Sequence, residues 1–146
     1  MILPPVWNLG LPRTGTTSTT AALSSLNIPC KPVVAGWVGD TLARRGSRGF
    51  EPRKLKPPPG TLLIATWRDF RDWELSMLIW RPKVDPALLV QVFLGYTDWL
   101  RLVEEERKVG IVEVRRGWTG LLRALAVAAE GAELPHLNRS RVAATV

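Results

Sequence analysis

The chain has 146 residues, enough for one compact domain and too few for two comfortable ones, with an ordinary apolar fraction of 46% and a formal net charge of +7. No apolar run approaches the roughly 18 to 20 residues that cross a bilayer. The opening M-I-L-P-P-V lacks the basic start and long apolar stretch of a secretory signal, and Cys30 stands alone, so no intramolecular disulfide can form. These features exclude a membrane-spanning or disulfide-stapled protein. They lead to the expectation of a single soluble, cytoplasmic domain over 1–146 that attracts anions, either nucleic acid or a ligand carrying several phosphates.

In chain order, a short apolar run from Val6 ends at Gly10, a turn with Pro12 and Gly15 follows, and a helix is expected from about Thr17 to Leu26. Asn27 and Pro29 stop that helix. The run K-P-V-V-A-G-W-V-G-D is apolar and β-branched enough for a short strand over 33–38 or a buried loop, with Asp40 at its end. Residues 44–60 are basic and then proline-rich, with Arg44, Arg45, Arg48, Arg53, Lys54 and Lys56 against Glu51 alone, and read as a surface loop ending in a stiff turn.

The clearest strand is T-L-L-I-A-T-W, residues 61–67, a continuous apolar run of the kind buried in a parallel sheet. Asp69 then stands where it can cap a helix carrying Trp73, Met77 and Trp80 toward the core. Asp85 and Pro86 open another helix in the favoured cap-then-proline order, running to about Arg107 with Leu89, Val92, Phe93, Tyr96, Leu100 and Val103 as its apolar stripe. A short strand over 109–114 and a Leu/Ala-rich helix over 117–129 complete the pattern. Strands alternating with helices predict an α/β domain of three layers with a mostly parallel sheet, whose ligands bind beyond the carboxyl ends of the strands.

Two motifs lie at such ends. The first, G-L-P-R-T-G-T-T-S from Gly10 to Ser18, joins a strand to a helix N-terminus, whose unpaired N–H groups and positive dipole end suit a phosphate. Its glycine spacing is that of a nucleoside-triphosphate P-loop, but Thr16 stands where that motif needs Lys, which argues against ATP or GTP hydrolysis. The basic group is Arg13, inside the loop. The second motif is R-D-F-R-D-W-E-L-S, in which Arg68 follows the strand and Ser76 comes eight residues later on the helix. A guanidinium fork and a hydroxyl two turns along the helix suit a second phosphate. The competing reading pairs Arg68 with Asp72 or Glu74 at the surface.

The first motif resembles the L-P-K/R-S/T-G-T-T/S loop of the sulfotransferases that use 3′-phosphoadenosine 5′-phosphosulfate (PAPS), and the second resembles their 3′-phosphate site. G-W-T-G-L-L-R-A-L followed by P-H-L-N near the end is a weaker echo of one branch of that family. The resemblance implies a P-loop-like sulfotransferase core that passes a sulfuryl group to a hydroxyl or amine of a small-molecule or glycan acceptor. PAPS would be the co-substrate and 3′-phosphoadenosine 5′-phosphate (PAP) the product, with no metal. It implies Arg13, Thr14, Gly15, Thr16, Thr17 and Ser18 at the 5′ end of the donor, Arg68 and Ser76 at the 3′-phosphate, and Arg13 also in catalysis. Ser18 replaces the aromatic residue many members place there, and the R-K-G-x-x-G segment of cytosolic members is absent. The chain is also shorter than a typical member, so a partner subunit in a homo-oligomer is one source of the missing acceptor structure. Asp40 is the preferred general base, with Glu74, Glu113 and His136 as alternatives; the competing reading of Asp40 is the cap of a helix over residues 41–45. The reading from another class is a non-catalytic nucleotide or nucleic-acid binding domain on the same loop; for the sulfotransferase reading, neither nucleic acid nor membrane is an expected partner.

Overall fold

Four short strands, β1 (Val6–Asn8), β2 (Cys30–Pro32), β3 (Leu62–Thr66) and β4 (Val112–Val114), pair in the order β2-β1-β3-β4, every pair parallel. Helices α1 (Thr16–Ser25), α2 (Val34–Ala43), α3 (Phe70–Trp80) and α4 (Pro86–Arg107) connect them. The computed structural model describes residues 4–44, 49–107 and 110–115. The expected helix over 117–129, the P-H-L-N echo with His136, and Arg45 and Arg48 lie outside the described residues.

Because the chain steps from β1 to one side and then returns across it to β3 and β4, connections of a single hand must place α1 on one face and α2, α3 and α4 on the other. The buried side chains divide in that way. Val6 and Ile64 pack with Leu23 of α1 and Ile28, beside Leu62, Val112 and Val114. On the opposite face a larger cluster gathers Leu63 with Val34 and Val38 of α2, Trp73 and Met77 of α3, and Leu89, Val92 and Tyr96 of α4. Successive strand residues point to opposite faces, which is why Val6 and Trp7 serve different cores.

Two elements differ from expectation. Residues 33–38 are not a strand: β2 ends at Pro32, and Val34–Ala43 is helical, burying Val34, Val38 and Thr41 at the spacing i, i+4, i+7. The β-branched valines resemble a strand in composition, but the buried face follows the helical period, and period decides. Asp40 is consequently inside α2, neither at a strand end nor at a helix cap. Trp80, expected in the core, is 42% exposed, with the Arg81 guanidinium 4.6 Å from its ring centroid. The long helix matches its reading, with the Asp85 carboxylate accepting from the Ala87 N–H at 3.0 Å at its start. Asp69 sits at the N-cap of α3 but its side chain makes no capping bond. Among the described residues no helix is long and apolar enough to cross a membrane.

Order β2-β1-β3-β4 creates a switch point. Connections leave β1 and β3 in opposite directions, so a crevice opens between their carboxyl ends, and in open parallel sheets that crevice is where ligands bind. Both motifs begin there.

Candidate functional site

Beyond the Leu9 and Gly10 N–H groups at its entry, the loop Leu9–Gly15 is held through its carbonyl oxygens. Tyr96 O–H donates to the Leu9 carbonyl, the Thr14 hydroxyl to that of Leu11 at 2.6 Å, the Trp73 indole N–H to that of Pro12 at 2.8 Å, and Arg68 to that of Arg13 at 3.1 Å. A loop whose oxygens are occupied on the protein side is free to present N–H groups and cationic side chains on the other. The entry is fixed by Asn8, fully buried, whose Oδ1 accepts from the Gly10 N–H at 2.9 Å and the Thr66 N–H at 3.2 Å, joining the end of β1 to the end of β3. Thr66 and Thr14 share a hydroxyl contact of 2.7 Å. The two motif-bearing loops are therefore clamped to each other, not merely adjacent.

Two residues of the loop have left-handed backbone, Arg13 at φ 65° and Gly15 at φ 96°. Glycine takes that conformation without a steric cost, whereas for Arg13 it stores strain of about 1 kcal/mol or more, a feature that concentrates at functional loops. Gly15 is the N-cap of α1 and supplies no side-chain cap, and the first turn has no acidic residue. The unpaired N–H groups and positive end of α1 are accordingly not neutralised by the chain itself.

Arg13 Nε donates to Ser76 Oγ at 3.2 Å across a sequence separation of 63 residues. Arg13, Arg68, Ser76 and the helix opening Gly15, Thr16, Thr17 and Ser18 line one cavity of about 270 Å³. Neither Arg13 nor Arg68 enters a salt bridge among the described residues, so the pairing of Arg68 with Asp72 or Glu74 is not adopted. Thr14 is the exception among the expected loop residues, since its hydroxyl is spent on Leu11 and Thr66 and it does not line the cavity. A neighbouring cavity of about 410 Å³, lined by Trp67, Asp69, Asp72 and Arg115, shares Arg68 with the first.

Asp40 is not brought to this place. Its carboxylate pairs with Arg53 at 2.8 Å and lines a different cavity, with Arg44 and Glu51. Glu113 pairs with Arg115 at 3.0 Å, and among the described residues no carboxylate lines the loop cavity. Among the described residues no group of three or more His, Cys, Asp or Glu side chains gathers as a metal site.

Sequence reasoning missed Asn8, Thr66, Trp73 and Tyr96 as supports of the loop. Only Asn8 carried a local signal, a strand-disfavoured polar residue in an otherwise apolar run. Burial, with a smaller contribution from the charge of Glu113, pushes the Tyr96 hydroxyl well above its ordinary range. A raised folded-state value means that the folded chain keeps this proton more tightly than the unfolded one, so the stabilisation is full below about pH 10 and declines as pH rises beyond it. Between pH 10 and 11 the native protein is expected to lose about 1 kcal/mol in urea unfolding that Tyr96→Phe does not lose. Parallel pH profiles for the two would contradict the assignment. In comparisons with known proteins, no family model, no curated protein and no solved structure matches the chain.

Proposed function

We propose that the chain is a sulfotransferase that takes a sulfuryl group from PAPS and passes it to a hydroxyl or amine of a small-molecule or glycan acceptor. The observation that carries this reading is the convergence of Arg13, Arg68, Ser76 and the opening of α1 on one cavity, with no carboxylate among its described lining residues. Bound there, PAPS supplies the activated sulfuryl group. Arg13 and the N–H groups of Thr16 and Thr17 meet the charge that develops on the leaving phosphate, and Arg68 with the Ser76 hydroxyl holds the 3′-phosphate. Ser76 Oγ accepts from Arg13, which leaves its own hydrogen for a ligand oxygen. The neighbouring cavity at Trp67 offers room for the nucleoside.

With Asp40 engaged by Arg53 elsewhere, the rate is assigned to position and charge more than to a general base. This suits a group transfer that, like phosphoryl transfer, leaves little covalent chemistry to the protein. A second reading, a non-catalytic nucleotide-binding domain, uses the same residues, since among the described residues the loop cavity is lined by cations, hydroxyls and a helix opening with no carboxylate. Release of PAP from PAPS separates the two, since only a transferase accelerates it.

Arg68→Ala tests the assignment of the 3′-phosphate. Its affinity for PAP should fall by about 1.5 to 3 kcal/mol, roughly 10- to 150-fold, while its affinity for ADP, which has no 3′-phosphate, should be almost unchanged. Equal losses for both nucleotides would place Arg68 at the shared 5′ phosphates and remove the 3′ assignment.

A further inference from the structure

The basic 44–60 stretch is absorbed by neither phosphate motif, and its described part is more ordered in its contacts than a solvated loop. Leu55 packs against the larger core cluster, and its carbonyl accepts from Arg107 at 2.7 Å. Arg53 is fixed by Asp40, and Thr61 N–H returns to the Pro58 carbonyl at 3.2 Å in the turn that ends the stretch. With Leu55 directed inward, its neighbours Lys54 and Lys56 are exposed. Prolines at 52, 57, 58 and 59 restrict the backbone on either side of them.

Across from this segment, Trp7 and Lys31 are register partners on β1 and β2, and Lys31 Nζ lies 4.9 Å from the Trp7 ring centroid. Trp7, Lys31, Trp37, Arg53, Lys54 and Lys56 surround a cavity of about 290 Å³ that shares no lining residue with the loop cavity. Among the described residues no acidic side chain lines it, and Asp40 neutralises only Arg53. Lys31 from β2 and Lys54 and Lys56 from the basic segment are left to repel one another, and an anion among them reverses that cost. Lysine ammonium groups act as point charges and accept carboxylate, sulfate or phosphate alike, in contrast to the fork of an arginine.

We infer that this cavity is a second anion site, binding a small organic molecule that carries two or more acidic groups. The two indoles give it an apolar wall, which suits a ligand with an organic body more than a bare inorganic ion. A nucleic-acid strand fits less well, because stacking needs open ring faces, and here Lys31 covers a face of Trp7 while Trp37 meets Trp99 edge-on at 5.6 Å. The two cavities share no lining residue, so this ligand is not given a role in the transferase reading. The site itself does not depend on that reading, because its test measures binding alone.

The probe is a disaccharide bearing one carboxylate and two sulfates, titrated calorimetrically into the native protein with and without saturating PAP. One molecule is expected per chain, with an affinity that PAP leaves unchanged or improves. Lys54→Glu with Lys56→Glu should weaken it at least about tenfold, and Lys54→Gln with Lys56→Gln by less. Lys83→Glu with Arg101→Glu, which changes net charge equally at exposed positions away from the cavity, should leave it within about twofold, as expected for distant screened charges. Absence of binding to the native protein, equal losses in the two Glu pairs, or displacement of the probe by PAP would overturn the inference.

Discussion

Alanine at position 10 is expected to lower the stability of the protein by about 3 kcal/mol, a fall in Tm of about 10 °C, although the substitution adds one methyl group. The reason is the closeness of β1 to β3 at the switch point. A Cβ built on Gly10 overlaps Thr66 Oγ1 and lies 2.7 Å from the Thr66 carbonyl oxygen and 3.0 Å from Asn8 Oδ1. Thr66 is 2% exposed and part of the central strand pair, so it has little room to retreat. Whatever shift relieves the clash also breaks the Asn8 bonds that hold the loop to β3. Ligand binding at Arg13 and Arg68 should therefore fall with stability. Gly10→Ala combined with Thr66→Ala should recover part of the loss, since it removes the hydroxyl but not the carbonyl. A Tm within about 2 °C of native for Gly10→Ala would show that the clamp is looser than this geometry.

The second large effect concerns Arg13. Arg13→Ala should reduce the rate of PAP release from PAPS, with water or an added phenol as acceptor, by about 100- to 1,000-fold, the usual cost of deleting a donor aimed at developing charge. Its apo stability should barely change, because the side chain is exposed and its one side-chain hydrogen bond among the described residues is the 3.2 Å contact with Ser76. Arg13→Lys keeps the positive charge and should retain far more activity than the alanine variant. A native rate for Arg13→Ala would remove the residue from catalysis. A large fall in apo Tm would make it structural.

These two residues also mark how far the sequence could be read. Arg13, Gly15 and the threonines were legible because a helix N-terminus, a glycine turn and an internal cation sit within nine residues of each other. Arg68 and Ser76 were legible as one strand end and one helix position two turns on. Their meeting was implied only through the rule that loops at strand ends share a crevice, and the 3.2 Å contact between Arg13 and Ser76 is a tertiary fact. The clamp was not legible, because Asn8 and Thr66 are 58 residues apart and the tyrosine that holds Leu9 is 87 residues away. Residues 34–43 failed for a different reason. Val and Trp carry strand-like propensity, and three buried positions at i, i+4 and i+7 outweigh it only once the sheet face they cover is known. The misplacement of Asp40 followed directly from that error, whereas Asp85 with Pro86 fixed the start of α4 by local chemistry alone.

The central claim is that the cavity between the ends of β1 and β3 recognises a nucleotide with phosphate at both its 3′ and 5′ sides. Calorimetric titration of the native protein with PAP and, separately, with ADP tests it most directly. The two ligands share adenosine and a 5′-phosphate, and only PAP has a 3′-phosphate for Arg68 and Ser76. The account predicts PAP binding tighter than ADP by at least about tenfold, the difference one charge-assisted contact supplies. Equal affinities for the two would contradict it.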